Sequence, residues 1–205
     1  MSGETPPQLT RSPGGIDRNP GKRTPPVGAR KKSQAPMEES TEGQVPTPSI
    51  RLEAPRSDDG RQMWRIARDS HALDLNSPYS YLMWCRDFAA SSVVARDGGG
   101  VCGFVTGYIR PQSAATLFVW QVAVDQAHRG QGLAKRMLDY LGDRIVATER
   151  SYLEATVTPD NIPSSRLFEA FARDRGCGIE RHTLFTPEQF PGGHQPEVLF
   201  RIGPL

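Results

Sequence analysis

The sequence has few cysteines and no long apolar run. No apolar stretch approaches the ~20 residues that a membrane span requires, and the N-terminal region lacks the apolar core of a secretory signal. The three cysteines, Cys85, Cys102 and Cys177, are far apart and form no Cys-x-x-Cys pair, which argues against a disulfide framework or a zinc site. We therefore expect no membrane association, no metal, and a cytoplasmic protein with small, buried, reduced cysteines.

Two common kinds of nucleotide-binding loop are also missing. The chain contains no Gly-x-x-x-x-Gly-Lys-Ser/Thr string, and no third glycine and spaced acidic residue complete a dinucleotide fingerprint. The net charge is only +2, and the basic run at 30–32 is soon offset by glutamates at 38, 39 and 42. We therefore expect no nucleic-acid partner.

The composition divides the chain near residue 48. Residues 1–48 contain half of the 18 prolines and almost no aliphatic clusters. Such a segment buries too little apolar surface to offset the entropy of the chain. We expect a disordered tail over 1–48 and a single domain over 49–205.

Strand and helix patterns alternate through the second part. The sequence predicts strands at 50–53, 92–96, 101–109, 116–124, 152–157, 177–185 and 197–202, and helices at 57–67, from about 79, 133–146 and 163–173. In the second helix, Tyr81, Leu82, Cys85 and Phe88 are expected on one side. This order predicts an α/β fold of mixed α+β type, with a central mixed sheet and helices on both faces.

The segment Arg129-Gly-Gln-Gly-Leu-Ala134 lies between a predicted strand and a predicted helix. Two glycines allow a tight turn, after which the first N–H groups of the helix have no partner and attract an anion. Arg129 and Lys135 add charge on either side. A plain turn is the alternative, but the flanking strand and helix favour a diphosphate site.

The pattern Arg-x-x-Gly-x-Ala after a Val-x-Val strand resembles the coenzyme A loop of GCN5-related N-acetyltransferases (GNAT). The resemblance implies the GNAT fold, with a mostly antiparallel sheet, and acetyl-CoA as co-substrate. It implies a cofactor site made of Val122, Ala123, Val124, Arg129, Gly130, Gln131, Gly132, Leu133, Ala134, Lys135 and Asn161, with an amide near Val122 as oxyanion donor. Asn161 is equally well explained as a helix N-cap. Phe168 stands where the superfamily often has a tyrosine that protonates the thiolate, so that acid is missing.

Seven longer strings, in order, resemble the diaminobutyrate acetyltransferases within this superfamily. They are Asp69-Ser70, Leu73-Asp-Leu-Asn-Ser-Pro-Tyr79, Cys85-Arg-Asp-Phe88, Gly103-Phe-Val-Thr-Gly107, Leu117-Phe-Val-Trp-Gln-Val-Ala-Val124, Thr156-Val-Thr-Pro-Asp-Asn161, and Phe190-Pro-Gly-Gly-His194 followed by Glu197. The resemblance implies acetyl transfer to the γ-amine of L-2,4-diaminobutyrate, a step in the synthesis of the osmolyte ectoine, and a homodimer.

The same resemblance implies the substrate site. Its members are Asp74, Asn76, Ser77, Tyr79, Trp120, His194 and Glu197. Asp74 and Glu197 suit the two ammonium groups, the aromatic residues offer cation–π contact, and either Arg86 or the Asn76–Ser77 pair suits the carboxylate. Glu197 is the first candidate for the general base and His194 the second.

Each of these residues also has a structural explanation. Asp74 can organise its own loop, Trp120 can pack in the core, and Tyr79 can pack a first helical turn against the sheet. Glu197 can face solvent at the end of a strand, and His194 can be an exposed residue of a Gly/Pro turn. The loop at 129–134, which we call the cradle, is also compatible with an enzyme that acetylates another small amine, a polyamine or an aminoglycoside. It is equally compatible with a sensor that binds acetyl-CoA without catalysis.

Overall fold

The computed structural model of the protein describes residues 49–205, so the tail expected over 1–48 lies outside the described residues. Seven strands and four helices alternate in nearly the predicted order. They are β1 (Arg51–Glu53), α1 (Gly60–Ser70), α2 (Pro78–Asp87), β2 (Val93–Asp97), β3 (Gly100–Arg110), β4 (Ser113–Val124), α3 (Leu133–Val146), β5 (Tyr152–Val157), α4 (Ile162–Asp174), β6 (Gly178–Phe185) and β7 (Glu197–Gly203).

The strands form one sheet in the order β1-β2-β3-β4-β5-β7-β6. Only β4 and β5 pair in parallel, and the other neighbours are antiparallel. The predicted mixed, mostly antiparallel sheet is therefore confirmed. No helix in the part of the chain that the structure describes is long and apolar enough to span a membrane.

Helices cover both faces of the sheet, as predicted. On one face α3 and α4 contribute Leu133, Met137, Leu141 and Phe171 to the larger core cluster. On the other face α1 and α2 contribute Met63, Ile66, Tyr81 and Cys85 to a second cluster with Phe104 of β3.

The side of α2 predicted to carry Tyr81, Leu82, Cys85 and Phe88 is buried only in part. Leu82 is 44% exposed and Phe88 is 38% exposed. The buried side of this helix is narrow and holds Tyr81 and Cys85, four positions apart, which is one turn of an α-helix. Burial raises the pKa of the Cys85 thiol to about 12, so this cysteine is an inert core residue.

A bulge in β4 determines which side chains face the site. Opposite β3, Thr106 pairs with Gln121 and Gly107 pairs with Val119, which leaves Trp120 as the extra residue. A bulge bends its strand and changes the alternation of side chains. Val119 and Val122 consequently pack with the core under α3 and α4. The two residues between them in the chain, Trp120 and Gln121, line a cavity instead.

The strands β4 and β5 separate beyond the bulge. Their pairing ends at Val119 and Ala155, although β4 continues to Val124 and β5 to Val157. Backbone groups beyond this point have no partner across the gap in the described pairing. An extended ligand can therefore pair with β4 as an added strand would.

Candidate active site

The diphosphate cradle has the predicted geometry. Gly130 and Gly132 have φ values of 77° and 68°, in the left-handed region that favours glycine. A Cβ at either position would meet nothing within 4 Å, so the requirement for glycine is conformational. α3 begins at Leu133 directly after this turn, which leaves its first N–H groups available to bind an anion.

A groove of about 350 Å³ runs along β4 to the cradle. Nine of the residues implied by the coenzyme A resemblance line it: Val122, Ala123, Val124, Arg129, Gly130, Gly132, Leu133, Ala134 and Lys135. α4 closes the other side with Pro163, Ser164 and Leu167.

Two of the expected cofactor residues lie outside the groove. The Gln131 side chain is exposed, and its Nε2 donates to the carbonyl of Ala127 at 3.4 Å. Asn161 caps α4, since its Oδ1 accepts from the backbone N–H of Ser164 at 3.1 Å, and it lines the neighbouring cavity. The cap predicted as one explanation of Asn161 is therefore present together with a place beside the site.

The charge of Lys135 is shared with two carboxylates. Its Nζ lies 2.8 Å from Asp139 Oδ2 and 3.1 Å from Asp174 Oδ2. Hydrogen bonds to these two carboxylates raise the pKa of Lys135. The side chain thus ties α3 to α4, and the residue also lines the groove. Arg129 donates from Nε to the carbonyl of Val124 at 3.2 Å, which closes the turn.

A polar group lies behind the cradle. Asp97, Cys102 and His128 bring potential metal-ligand atoms within 4.8 Å of one another. In the structure these groups bond to protein: His128 Nε2 lies 2.9 Å from Asp97 Oδ2, and the Cys102 thiol donates to the carbonyl of Ala95 at 3.4 Å. Burial raises the pKa of Cys102, which keeps it a thiol. The group therefore links β2 and β3 to the turn that carries Arg129.

A second cavity, of about 670 Å³, adjoins the groove. The two share Pro163 at the start of α4. Five of the expected substrate residues line this cavity: Asp74, Asn76, Trp120, His194 and Glu197. The structure brings them together from the loop after α1, from β4 and from the start of β7, so one cavity holds both acids and an aromatic face.

His194 lies between the two acids. Its Nε2 is 3.7 Å from Asp74 Oδ2 and 3.9 Å from Glu197 Oε1. On its other side, Nδ1 lies 2.6 Å from the carbonyl oxygen of Gln195, and the ring stacks on Phe190 at 4.2 Å. The bond to the Gln195 carbonyl, and then the charges of Glu197 and Asp74, raise the pKa of His194.

The bond to Gln195 also selects the tautomer of His194. A carbonyl oxygen accepts only, so Nδ1 must carry the proton. In the neutral ring the lone pair is then on Nε2, which faces the cavity. The imidazole that the sequence offered as the second candidate for the general base is thus oriented to accept a proton.

Three residues from the sequence prediction lie outside the cavity. Ser77 is the N-cap of α2 and accepts from the N–H of Ser80 at 3.4 Å. Tyr79 is 67% exposed and is not among the lining residues. Arg86 donates from Nε to the neighbouring Asp87 at 2.7 Å and also does not line the cavity.

The cavity includes polar residues that the sequence reasoning missed. They are His71, Gln121, Thr156, Thr158, Asp160 and Gln195. The threonines and Asp160 lie in a string that was recognised for Asn161, so that string was the available signal. Gln121 gave another signal, because it is a lone amide within an otherwise apolar strand.

Trp120 belongs to a group of partly exposed aromatic rings. We call Trp84, Phe88, Tyr108 and Trp120 the aromatic surface. Trp84 contacts Phe88, Tyr108 and Trp120 with ring centroids 4.8, 6.3 and 6.4 Å apart. Trp120 remains 51% exposed, so the core-packing explanation of this residue was wrong.

Comparison with known proteins agrees with this geometry. The family model "Acetyltransferase (GNAT) family" matches residues 60–172. The L-2,4-diaminobutyric acid acetyltransferase of Streptomyces coelicolor is 59% identical over 160 residues, which are 76% of this chain and 94% of that protein. The chain belongs to the diaminobutyrate acetyltransferase family of GNAT enzymes.

Other diaminobutyrate acetyltransferases extend the comparison. The relative from Marinococcus halophilus is 44% identical over 158 residues, covering 77% of this chain and 91% of its own. Diaminobutyrate acetyltransferase EctA from Paenibacillus lautus, solved with its substrate L-2,4-diaminobutyric acid and coenzyme A, matches with a TM-score of 0.73 and 37% identity, over 77% of this chain and 96% of that one. The family, the fold and the enzyme class inferred from the sequence are therefore confirmed.

Proposed function

We propose that this protein transfers the acetyl group of acetyl-CoA to the γ-amine of L-2,4-diaminobutyrate and so forms N4-acetyl-L-2,4-diaminobutyrate, a step in ectoine synthesis. The observation that carries this proposal is the junction of the coenzyme A groove with a cavity that holds Asp74, Glu197 and Trp120. The two ammonium groups of the substrate match the carboxylates of Asp74 and Glu197, and the thioester reaches the cavity from the groove.

The groove accounts for the binding of acetyl-CoA. The diphosphate binds at the N-terminus of α3, where the helix dipole and free N–H groups favour negative charge. The pantetheine arm lies along β4 beyond Val119, where β5 no longer pairs with it. Val122, Ala123 and Val124 contact the arm through their backbone, so their side chains need only be apolar.

Asp74 and Glu197 divide the two ammonium groups between them. Asp74 holds the α-ammonium, and Glu197 holds the γ-ammonium close to the thioester. Trp120 offers its ring to one of these cations. Among residues 49–205, no lysine or arginine lines this cavity, so the substrate carboxylate binds neutral donors, of which Asn76 is the candidate retained from the sequence.

The γ-amine must lose a proton before it can attack. With a reference pKa of ~10.4, about one amine in a thousand is free at pH 7.4, which corresponds to about 4 kcal/mol. His194 is suited to accept this proton, directly or through water, because Nε2 carries its lone pair toward the cavity. Glu197, the first candidate from the sequence, then orients the γ-amine and stabilises the imidazolium.

Substrate binding itself prepares His194 for this role. The bond to the Gln195 carbonyl, and then the charges of Glu197 and Asp74, favour the protonated ring of His194 when the cavity is empty. Two bound ammonium groups compensate both carboxylates, which lowers the pKa of His194 and releases its proton. The imidazole thereby becomes a base in the complex in which a base is needed.

The tetrahedral intermediate requires a donor for its oxyanion and an exit for the thiolate. A backbone N–H near Val122, beside the gap between β4 and β5, supplies the donor. Phe168 is 3% exposed and packs against Phe200, so it takes no part in proton transfer. A thiol has a reference pKa of ~8.5, so the thiolate leaves with protonation by water or by the imidazolium of His194.

We also propose a cytoplasmic homodimer. The aromatic surface supports the dimer, since contiguous exposed apolar surface marks a protein interface. Phe88→Glu should give the mass of a monomer by light scattering, while Phe185→Glu, at an exposed position on the edge strand β6, should remain dimeric. A monomer from the second change alone would assign the interface to β6 instead.

Thiol release from acetyl-CoA tests the reaction. Purified protein is compared on L-2,4-diaminobutyrate, lysine, ornithine, putrescine and spermidine, and NMR locates the acetyl group. Preference for diaminobutyrate with γ-acetylation supports the proposal. Preference for polyamines would replace the substrate, and tight binding of acetyl-CoA without turnover on any amine would indicate a sensor.

A further inference from the structure

Gln121 joins the central sheet to the loop that carries Asp74. The side chain is buried, with 6% exposure. Its Nε2 donates to the backbone carbonyl of Asp74 at 2.9 Å, and its Oε1 accepts from the hydroxyl of Tyr81 at 3.1 Å. Its own N–H donates to Thr106 Oγ1 at 3.2 Å. Both ends of the amide are therefore satisfied, and its backbone is held in β4.

The backbone carbonyl of Asp74 determines which way this amide points. A carbonyl oxygen accepts only, so Nε2 of Gln121 must face it, which leaves Oε1 for Tyr81. Tyr81 is fully buried, and burial raises the pKa of its phenol, so the hydroxyl keeps its proton and can donate to that oxygen. A glutamine turned the other way would place two acceptors together at Asp74.

The loop that depends on this bond has an apolar anchor in Leu73, which packs against the core cluster of α1 and α2, and the bond from Gln121 adds a polar one. Residues 71–76 lie between α1 and the N-cap of α2 and form neither helix nor strand. Among the described hydrogen bonds, the one from Gln121 is the link between the sheet and this stretch of the loop. The Asp74 carboxylate itself is 95% exposed. Its position in the cavity is thus set through its backbone.

We infer that Gln121 is a positioning residue, which holds Asp74 at the α-ammonium of the substrate and thereby sets the preference for a diamino acid over a monoamine. The inference rests on the proposed function. It assigns to Gln121 a role in specificity, exerted through Asp74 and without contact with the reacting atoms.

The test compares two substrates that differ only in the α-amine. They are L-2,4-diaminobutyrate and 4-aminobutyrate. Gln121→Glu keeps an acceptor for Tyr81 and removes the donor to Asp74, and Gln121→Met removes both. We expect each change to lower kcat/KM for diaminobutyrate by about tenfold, mainly through KM, because one buried hydrogen bond is lost. The value for 4-aminobutyrate should change by less than about twofold.

Asp74→Asn should reduce the same preference, and its combination with Gln121→Met should add nothing further, since both changes remove one interaction. If 4-aminobutyrate is not turned over, its competitive inhibition constant replaces kcat/KM. The KM for acetyl-CoA should not move in any of these variants.

Gln62 provides a matched control. This glutamine also joins a helix to the sheet, because its Oε1 accepts from the N–H of Val101 at 2.6 Å, but it lies away from the cavity. Gln62→Met should lower the melting temperature and leave the ratio of the two substrates unchanged. If Gln121 had only a structural role, its variants would likewise lower the melting temperature and leave the ratio of the two substrates unchanged.

Two outcomes separate this inference from the proposed function. A wild-type ratio in both Gln121 variants, or an equal loss on both substrates, overturns the positioning role and leaves the proposed function intact. Absence of diaminobutyrate acetylation by the wild-type protein overturns the proposed function itself.

Discussion

The Nε2 atom of His194 lies 3.9 Å from a carboxylate oxygen of Glu197, three residues further along the chain. The imidazole meets that acid from the turn after β6, and the acid begins β7. This contact and its counterpart with Asp74 make the protonation of His194 depend on what the two carboxylates bind.

The first prediction concerns pH. Activity requires neutral His194, so it is lost as the pH falls through the pKa of this residue. The acid limb of the pH profile of kcat/KM reports the pKa of His194 in the free enzyme, where it is raised. The acid limb of the kcat profile reports its pKa in the enzyme–substrate complex. We expect the acid limb of kcat at lower pH than that of kcat/KM, measured by thiol release. Coincident limbs, or an unchanged limb in His194→Gln, would contradict the role of His194.

The second prediction concerns the aromatic face. Trp120→Ala should lower kcat/KM for diaminobutyrate by roughly three- to thirtyfold, because a cation–π contact contributes about 0.5–2 kcal/mol. Trp120→Phe should retain most of the activity. Steady-state kinetics with both substrates checks this, and the KM for acetyl-CoA serves as the internal control. An alanine variant with wild-type kcat/KM would remove Trp120 from the site.

The third prediction concerns the cradle. Gly132→Ala forces a side chain into a left-handed backbone at a cost of about 1–2 kcal/mol, and we expect a raised KM for acetyl-CoA. Gly176 is the matched control, since it has the same φ of 68° and equal open space, but lies beyond α4. Gly176→Ala should lower stability similarly and leave that KM unchanged. Equal effects of both variants on the KM would argue against an anion site at Gly132.

The fourth prediction concerns stability. Glu154 is buried, and Arg201 and Arg110 donate to its two oxygens. Arg201→Met leaves the buried carboxylate with one partner, so the free energy of unfolding should fall by about 2–3 kcal/mol in urea titrations.

Arg181 is a suitable control for this change. Like Arg201 it lies over an aromatic ring, but its partner Glu169 is 46% exposed. Arg181→Met should change the free energy of unfolding by less than about 1 kcal/mol. Equal losses in the two variants would show that ring packing, rather than the buried charge, governs this region.

The sequence was sufficient for the order of the elements and for the cradle, because local signals determine both. Gly130 and Gly132 mark a left-handed turn, and the pairing of Lys135 with Asp139 follows from helical spacing. The pairing of Lys135 with Asp174 joins two helices and has no local signal. The same limit applies to His194, whose approach to Asp74 depends on tertiary structure.

The bulge explains why Trp120 had two opposite interpretations. Strict alternation along β4 gives adjacent residues opposite faces. One extra residue breaks that alternation, and no pattern in the apolar string Phe118-Val-Trp-Gln-Val marks where it occurs. The resemblance to known enzymes placed Trp120 in the site, whereas periodicity alone placed it in the core.

The bulge in β4 also limits the residues of this strand that face the cavity to two adjacent positions. Trp120 and Gln121 face the cavity, while Val119 and Val122 on either side belong to the core. A different amine can therefore be accommodated by changing Trp120, whose ring is half exposed, without disturbing the neighbouring valines that pack in the core.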